Sequence, residues 1–151
     1  MTKEGFIPML RTLIVEDNRP FRQQFGDFLQ MQWPDMLIEE AGDGAQAIEM
    51  VRQSMPGIVF MDIRLPGANG LELTKKIKST HPRIPVVIVT SHDQIEYCEA
   101  AKAAGADHFF SKDALDRIEV KAIVSALLAK HPTQFLPKPT LRPTLDRIRL
   151  T

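Results

Sequence analysis

The sequence lacks the features that mark secreted, membrane-spanning and disulfide-linked proteins. Cys98 is the only cysteine among 151 residues, so no disulfide can form within the chain, as is usual in a reducing cytoplasm. No apolar run approaches the ~20 residues of a membrane span, and the first residues lack the apolar core of a signal peptide. We therefore expect a soluble cytoplasmic protein that does not bind membranes.

The chain also has no overall excess of charge. Lys plus Arg and Asp plus Glu each number 19, so net charge favours no particular partner. The charges are unevenly distributed, because residues 131–151 carry +3 and residues 1–130 carry −3. Pro132, Pro137, Pro139 and Pro143 interrupt the basic segment, which we interpret as a Pro-rich basic tail or linker. A charge of +3 is weak support for direct binding to nucleic acid.

The sequence does contain a regular alternation of short apolar runs and amphipathic segments. Strands are predicted at residues 9–16, 36–41, 57–62, 85–90 and 107–111, each followed by a helix. The last helix, predicted over 114–130, is expected to point these apolar side chains inward: Leu115, Ile118, Ala122, Ile123, Ala126 and Leu127. Such alternation predicts a doubly wound α/β domain, with helices on both faces of a parallel sheet. The domain is predicted over residues 9–130, and residues 1–8 are predicted to form an N-terminal extension.

Acidic side chains follow two of the predicted strands. Glu16 and Asp17 end the first strand in "TLIVED", and Asp62 ends the third after "IVFM". Parallel strands share one carboxyl edge, so the three carboxylates should converge and need a cation to offset their repulsion. Oxygen ligands without His or thiolate indicate Mg²⁺ or Ca²⁺. Thr90 and Lys112 follow the fourth and fifth strands, where they could contact a phosphoryl group, and an aspartate can form an acyl phosphate.

Five motifs, in order, carry a family resemblance: "LIVEDN" (13–18), "DGAQAI" (43–48), "MDIRLPGANGLEL" (61–73), "PVVIVTS" (85–91) and "AAGADHFFSK" (103–112). Together they resemble the receiver domain of bacterial two-component response regulators. The resemblance implies a flavodoxin-like (βα)5 fold with a five-stranded sheet in the order 2-1-3-4-5.

The resemblance also implies roles for the acidic residues. Asp62 matches the phosphoryl acceptor, and Asp17 matches the direct Mg²⁺ ligand. Glu16 is expected to bind Mg²⁺ through water, and the backbone carbonyl of Arg64 is expected to be a further ligand.

Other positions match the residues through which the family responds to phosphate. Lys112 matches the family's lysine, Thr90 its switch hydroxyl and Phe109 its switch aromatic, although the adjacent Phe110 is an alternative. Family members often have proline after the lysine. Asp113 stands there in this chain, so we predict a trans bond, since a cis bond before a non-proline residue costs about 3 kcal/mol.

Arg64 and His92 lie two residues after the acceptor and the threonine, at positions that tune phosphate lifetime in the family. Both are bulky, and we hypothesise that they shield the acyl phosphate from water.

The expected function is Mg²⁺-dependent phosphoryl transfer to Asp62 from a sensor histidine kinase, a phosphotransfer protein or a small phosphodonor. Phosphorylation would reshape the helix 4–strand 5–helix 5 face to control an output, and the resemblance suggests homodimerisation through helices 4 and 5. The chain is either a stand-alone receiver or part of a longer regulator whose output domain lies outside this sequence. Such a switch is not an enzyme beyond its own phosphorylation and dephosphorylation. The alternative is a phosphate-independent binding module. A flavin protein is disfavoured, because the acidic "EDNRPF" would repel a flavin phosphate.

Overall fold

Five parallel strands form one sheet in the computed structural model, which describes residues 10–130. The strands are β1 (Leu10–Val15), β2 (Met36–Ala41), β3 (Ile58–Met61), β4 (Val86–Thr90) and β5 (His108–Ser111). Their order is β2-β1-β3-β4-β5, and each adjacent pair is parallel. The predicted flavodoxin-like fold and strand order are confirmed. The predicted extension at 1–8 and the tail at 131–151 lie outside the described residues.

Five helices cover both faces of the sheet. They are α1 (Arg19–Gln32), α2 (Gly44–Ser54), α3 (Gly70–Thr80), α4 (Ile95–Ala103) and α5 (Arg117–Lys130). Side chains of α1 and α5 pack in one apolar core, and side chains of α2, α3 and α4 pack in the other. All residues of β3 and β4 are buried because helices cover both faces of these strands, which explains their continuous apolar sequences. None of the helices within residues 10–130 has the length and apolarity to span a bilayer.

Side-chain caps fix where α1, α2 and α3 begin at the carboxyl edge of the sheet. Asn18 precedes α1 and accepts a hydrogen bond from the Phe21 amide at 3.1 Å, with Pro20 in the first turn. Asp43 caps α2 in the same way, and Asn69 caps α3. Each cap satisfies a backbone N–H that the helix itself leaves unpaired. The short acidic and Asn-containing segments before α1, α2 and α3 therefore set the starting points of these three helices.

The segment between β3 and α3 contains a small antiparallel hairpin. Residues Arg64–Leu65 pair with Ala68–Asn69 around Gly67, whose φ of 66° favours glycine. The following Gly70 lies so close to the Asp62 carbonyl oxygen that a Cβ at this position would be 1.9 Å from it. Gly70 therefore allows α3 to begin directly against the strand end that carries Asp62. The Lys112–Asp113 bond is trans, as predicted.

The predicted inward face of the last helix is partly wrong. The exposed fraction of Ile118 is 81%, and Ala122 and Ala126 are also exposed. Leu115 and Ile123 are partly buried, and the buried positions of α5 are Val120, Val124 and Leu127. Apolar residues occur around most of this helix, so its sequence does not specify one face, and packing against the sheet selects it.

We expect Val124→Ala to lower the free energy of unfolding by about 2 kcal/mol, because it removes two buried methyl groups from the core between α5 and the sheet. Ile118→Ala on the same helix should change it by less than about 0.5 kcal/mol. Urea unfolding measures both, and equal losses would contradict the observed orientation of α5.

Candidate functional site

Three carboxylates converge at the carboxyl edge of the sheet. Glu16 and Asp62 directly extend β1 and β3, because the Glu16 amide donates to the Ala41 carbonyl at 2.9 Å and the Asp62 amide donates to the Val15 carbonyl at 3.0 Å. One carboxylate oxygen from each of Glu16, Asp17 and Asp62 lies within 4.8 Å of the other two. Glu16 and Asp62 are 3% and 7% exposed, whereas Asp17 is open to solvent.

The donor set fits a hard divalent cation. Its atoms are carboxylate oxygens, and no His or Cys belongs to the cluster within the described residues. Asp17 faces solvent, which gives a cation access to two buried ligands. Arg64 begins the hairpin two residues after Asp62, and its carbonyl stays a predicted ligand. These residues could hold Mg²⁺, as the sequence predicted.

Lys112 neutralises the buried part of this cluster. Its Nζ lies 2.7 Å from a Glu16 oxygen and 3.3 Å from Asp62 Oδ2. The backbone places it there, because the Lys112 amide donates to the Thr90 carbonyl at 2.8 Å at the end of β5. The Nζ also lies 4.5 Å from the centre of the Phe21 ring. A buried carboxylate pair needs such a partner, since unpaired buried charges are strongly destabilising.

Burial shifts the acid–base properties of this pair. Burial raises the pKa of Glu16 more than its hydrogen bonds with Lys112 and Asn18 lower it, and the nearby Asp62 charge raises it further. Burial by itself would lower the pKa of Lys112, but its hydrogen bond with Glu16 and the charges of Asp62 and Glu16 outweigh burial, so this pKa is raised. Lys112 therefore stays a cation, and protons compete with a metal for Glu16 more strongly than for an ordinary glutamate.

Strand alternation explains why these side chains meet. Ile14, Phe60 and Phe110 belong to the core shared with α1 and α5, and Glu16, Asp62 and Lys112 follow them by two residues. Because side chains in a strand repeat every two residues, the three charged groups extend this face of the sheet beyond its edge.

The Asp62 carboxylate is held by two different contacts. Oδ1 accepts a hydrogen bond from the Ile63 amide at 2.7 Å, and Oδ2 is paired with Lys112. The group is therefore fixed in orientation beside a cation. Such an arrangement suits a carboxylate that accepts a phosphoryl group.

The predicted switch residues lie in two environments. Thr90 is fully buried at the end of β4, and its hydroxyl oxygen accepts a hydrogen bond from the His92 amide at 3.2 Å. Phe109 is partly buried against the core of α2, α3 and α4, whereas Phe110 is 4% exposed in the core of α1 and α5. Both rings thus contact a core, on opposite faces of the sheet, because side chains alternate along β5 and helices cover both faces. Phe109 is the ring on the α4 side; its switching role stays a prediction.

Tyr97 connects the two predicted lifetime residues, and sequence reasoning missed it. Its hydroxyl accepts a hydrogen bond from Arg64 Nη2 at 3.2 Å, and its ring centre lies 5.6 Å from that of His92. Arg64 follows β3, His92 follows β4, and Tyr97 belongs to α4. The chain contains one tyrosine, but nothing in its spacing indicates these contacts. Nothing in the spacing of Phe21 indicates its contact with Lys112 either.

Comparisons with known proteins agree with this geometry. The response regulator receiver domain family matches residues 12–125. The transcriptional activator protein ExaE of Pseudomonas putida is 34% identical over 119 residues, which cover 79% of this chain and 55% of ExaE. The chain spans about half the length of the curated relatives it matches.

Solved structures show the same arrangement of strands and helices. A LuxR-family two-component response regulator from Aurantimonas sp. SI85-9A1 has a TM-score of 0.72 at 29% identity, covering 80% of this chain and 85% of that one. A CheY-like receiver domain protein from Methanospirillum hungatei JF-1 has a TM-score of 0.75, covering 83% and 98%. Its identity is 21%, so this likeness concerns the fold alone.

We expect Asp17→Asn to weaken Mg²⁺ binding by about tenfold or more, because one charged oxygen ligand becomes a neutral amide. Asp27→Asn is the control, since Asp27 is an exposed acid of α1 outside the cluster. Calorimetric titration measures both affinities. Equal affinities for the two variants would show that Asp17 is not a ligand.

Proposed function

This chain belongs to the response regulator receiver domain family of two-component systems, and we propose that it is a phosphorylation switch with Asp62 as the phosphoryl acceptor. One observation carries this proposal: the convergence of Glu16, Asp17 and Asp62 within 4.8 Å, with Lys112 paired to the acceptor. A structural role alone does not account for three carboxylates at one strand edge, because their mutual repulsion opposes folding.

In the proposed reaction, an Asp62 oxygen attacks the phosphorus of a phosphohistidine on a sensor kinase or phosphotransfer protein. A P–O bond forms as the P–N bond breaks, and the imidazole keeps the electron pair. With acetyl phosphate as donor, the P–O bond to acetate breaks instead. Lys112, already 3.3 Å from Asp62, offers its positive charge to the transferred phosphoryl oxygens.

Mg²⁺ is the proposed cofactor, held by Asp17 and Asp62, by Glu16 through water and by the Arg64 carbonyl. When bound, it supplies positive charge to phosphoryl oxygens that would otherwise be repelled by the acidic cluster. The chain's own contribution is to fix the acceptor, through the Ile63 amide and Lys112, before the donor arrives. Apart from its own phosphorylation and dephosphorylation, the domain catalyses no reaction.

The proposed response is a shift between two packed states of the α4–β5–α5 side. Thr90 would exchange its hydrogen bond with the His92 amide for one to the phosphoryl group, and Phe109 would follow it inward. The altered face would then control homodimerisation or an output domain. The relative ExaE is named a transcriptional activator, so contact with DNA through such an output domain is part of this proposal.

Incubation with Mg²⁺ and acetyl phosphate should add one phosphoryl group to the wild-type chain, measured by intact mass. Asp62→Ala should remain unmodified because it lacks the acceptor oxygen, and chelation of Mg²⁺ should prevent the modification. Asp27→Ala serves as the matched exposed acid and should be modified like the wild type. A wild type that forms no adduct, and also does not bind beryllofluoride, would favour the phosphate-independent binding module.

We expect Arg64→Asn and His92→Ala each to shorten the phosphoryl half-life several-fold, because smaller side chains admit water to the acyl phosphate. Tyr97→Phe should shorten it less, since this change removes the hydroxyl that accepts from Arg64 but keeps the ring beside His92. The decay of the phosphorylated mass after removal of the donor gives each half-life. Unchanged half-lives in both Arg64→Asn and His92→Ala would show that these side chains do not shield the acyl phosphate from water.

A further inference from the structure

A continuous row of aromatic rings leads from the core to Lys112. The Phe60 ring, two residues before Asp62, packs edge-on against Phe25 with ring centres 5.0 Å apart. Phe25 is stacked on Phe21 at 5.7 Å, with an angle of 11° between the ring planes. The Lys112 ammonium then lies over the Phe21 ring, 4.5 Å from its centre. The row connects β3, the strand that precedes Asp62, to Lys112.

Phe21 differs in kind from the other partners of Lys112. Glu16 and Asp62 attract the ammonium by charge, and both change in the proposed reaction: one helps to bind a cation, and the other becomes an acyl phosphate. Phe21 carries no net charge, and α1 holds it in place through the Asn18 cap and the contact with Phe25. Its attraction for Lys112 therefore persists when the carboxylates are neutralised.

We propose that Phe21 is a positioning residue that holds the Lys112 ammonium beside Asp62 throughout phosphoryl transfer. This inference rests on the proposed function and adds to it a residue of α1. A lysine side chain has several rotatable bonds and many competing conformations. A ring face on one side removes part of that freedom before the donor binds, so the ammonium is ready where negative charge accumulates.

Phe28 offers a matched control within the same helix. Its ring also lies under a cation, the Arg117 guanidinium at 5.4 Å, and it is 8% exposed in the core of α1 and α5. It belongs to neither the acidic cluster nor the Lys112 contacts. Phe28→Leu therefore reproduces the loss of a ring and of a cation contact in α1 without removing a contact of Lys112, since the Phe28 ring neighbours Phe25, with 6.3 Å between ring centres.

The experiment follows the formation of the acyl phosphate against acetyl phosphate concentration, at saturating Mg²⁺, in the 151-residue chain. We expect Phe21→Leu to lower the limiting rate about fivefold, which corresponds to about 1 kcal/mol, with a smaller change in the half-saturating concentration. Phe21→Tyr retains the ring face and should remain within about twofold of the wild type. Phe28→Leu should be less stable in urea yet react at the wild-type rate.

A second measurement tests the persistence of the contact directly. Ring currents of Phe21 should shift the Lys112 ε-methylene protons upfield, and this shift should remain after addition of Mg²⁺ and beryllofluoride. Phe21→Leu should abolish it. Phe21→Met is available if the leucine variant does not fold.

Three outcomes would overturn the inference. They are a wild-type limiting rate in Phe21→Leu, an equal fall in Phe28→Leu, and loss of the upfield shift once Mg²⁺ and beryllofluoride bind. Each concerns Phe21 while the wild type is still phosphorylated. A wild type that takes no phosphoryl group would instead overturn the proposed function, and the inference with it.

Discussion

The ion pairs that Lys112 forms with Glu16 and Asp62 are the interactions on which the site depends. Burial and the nearby charge of Asp62 both favour the protonated form of Glu16, and the hydrogen bond with Lys112 opposes them. Lys112 reaches both carboxylates from the end of β5, and β3 and β4 lie between that strand and β1 in the sheet. The fold therefore provides the acidic cluster with a counter-charge on a single side chain.

Parallel topology makes this arrangement possible. Each strand of the sheet runs in the same direction, so residues distant in sequence finish at one edge and the helices begin immediately above it. The two-residue repeat then assigns the charged side chains to the face of α1 and α5, where Phe21 and Phe25 lie. Phe109 and Tyr97 pack on the opposite face, with α4, and Thr90 lies at the end of β4. The charged side chains and the proposed switch residues therefore lie on different sides of the sheet edge.

Tyr97 contacts side chains that follow two different strands of the sheet. Arg64 follows β3, and its guanidinium donates a hydrogen bond to the hydroxyl of Tyr97 on α4. His92 follows Thr90 and packs against the same ring. Tyr97 therefore connects α4 with side chains that follow both β3 and β4. The proposed two-state shift of the α4–β5–α5 side would require only small differences in the free energy of such contacts, because a tenfold change in population corresponds to about 1.4 kcal/mol.

The sequence by itself determined the alternation of strands and helices along the chain, the convergence of Glu16, Asp17 and Asp62, and the position of Lys112 at the same edge, whereas the order of the strands in the sheet came from the family resemblance. These follow from local patterns and from the rule that parallel strands share an edge, and they need no knowledge of side-chain packing. Only the tertiary structure decided that Val124, not Ile118, faces the core, because α5 is apolar on several sides. It also decided that Phe21 contacts Lys112 and that Tyr97 contacts Arg64, since no sequence pattern encodes which long side chains meet across separate elements.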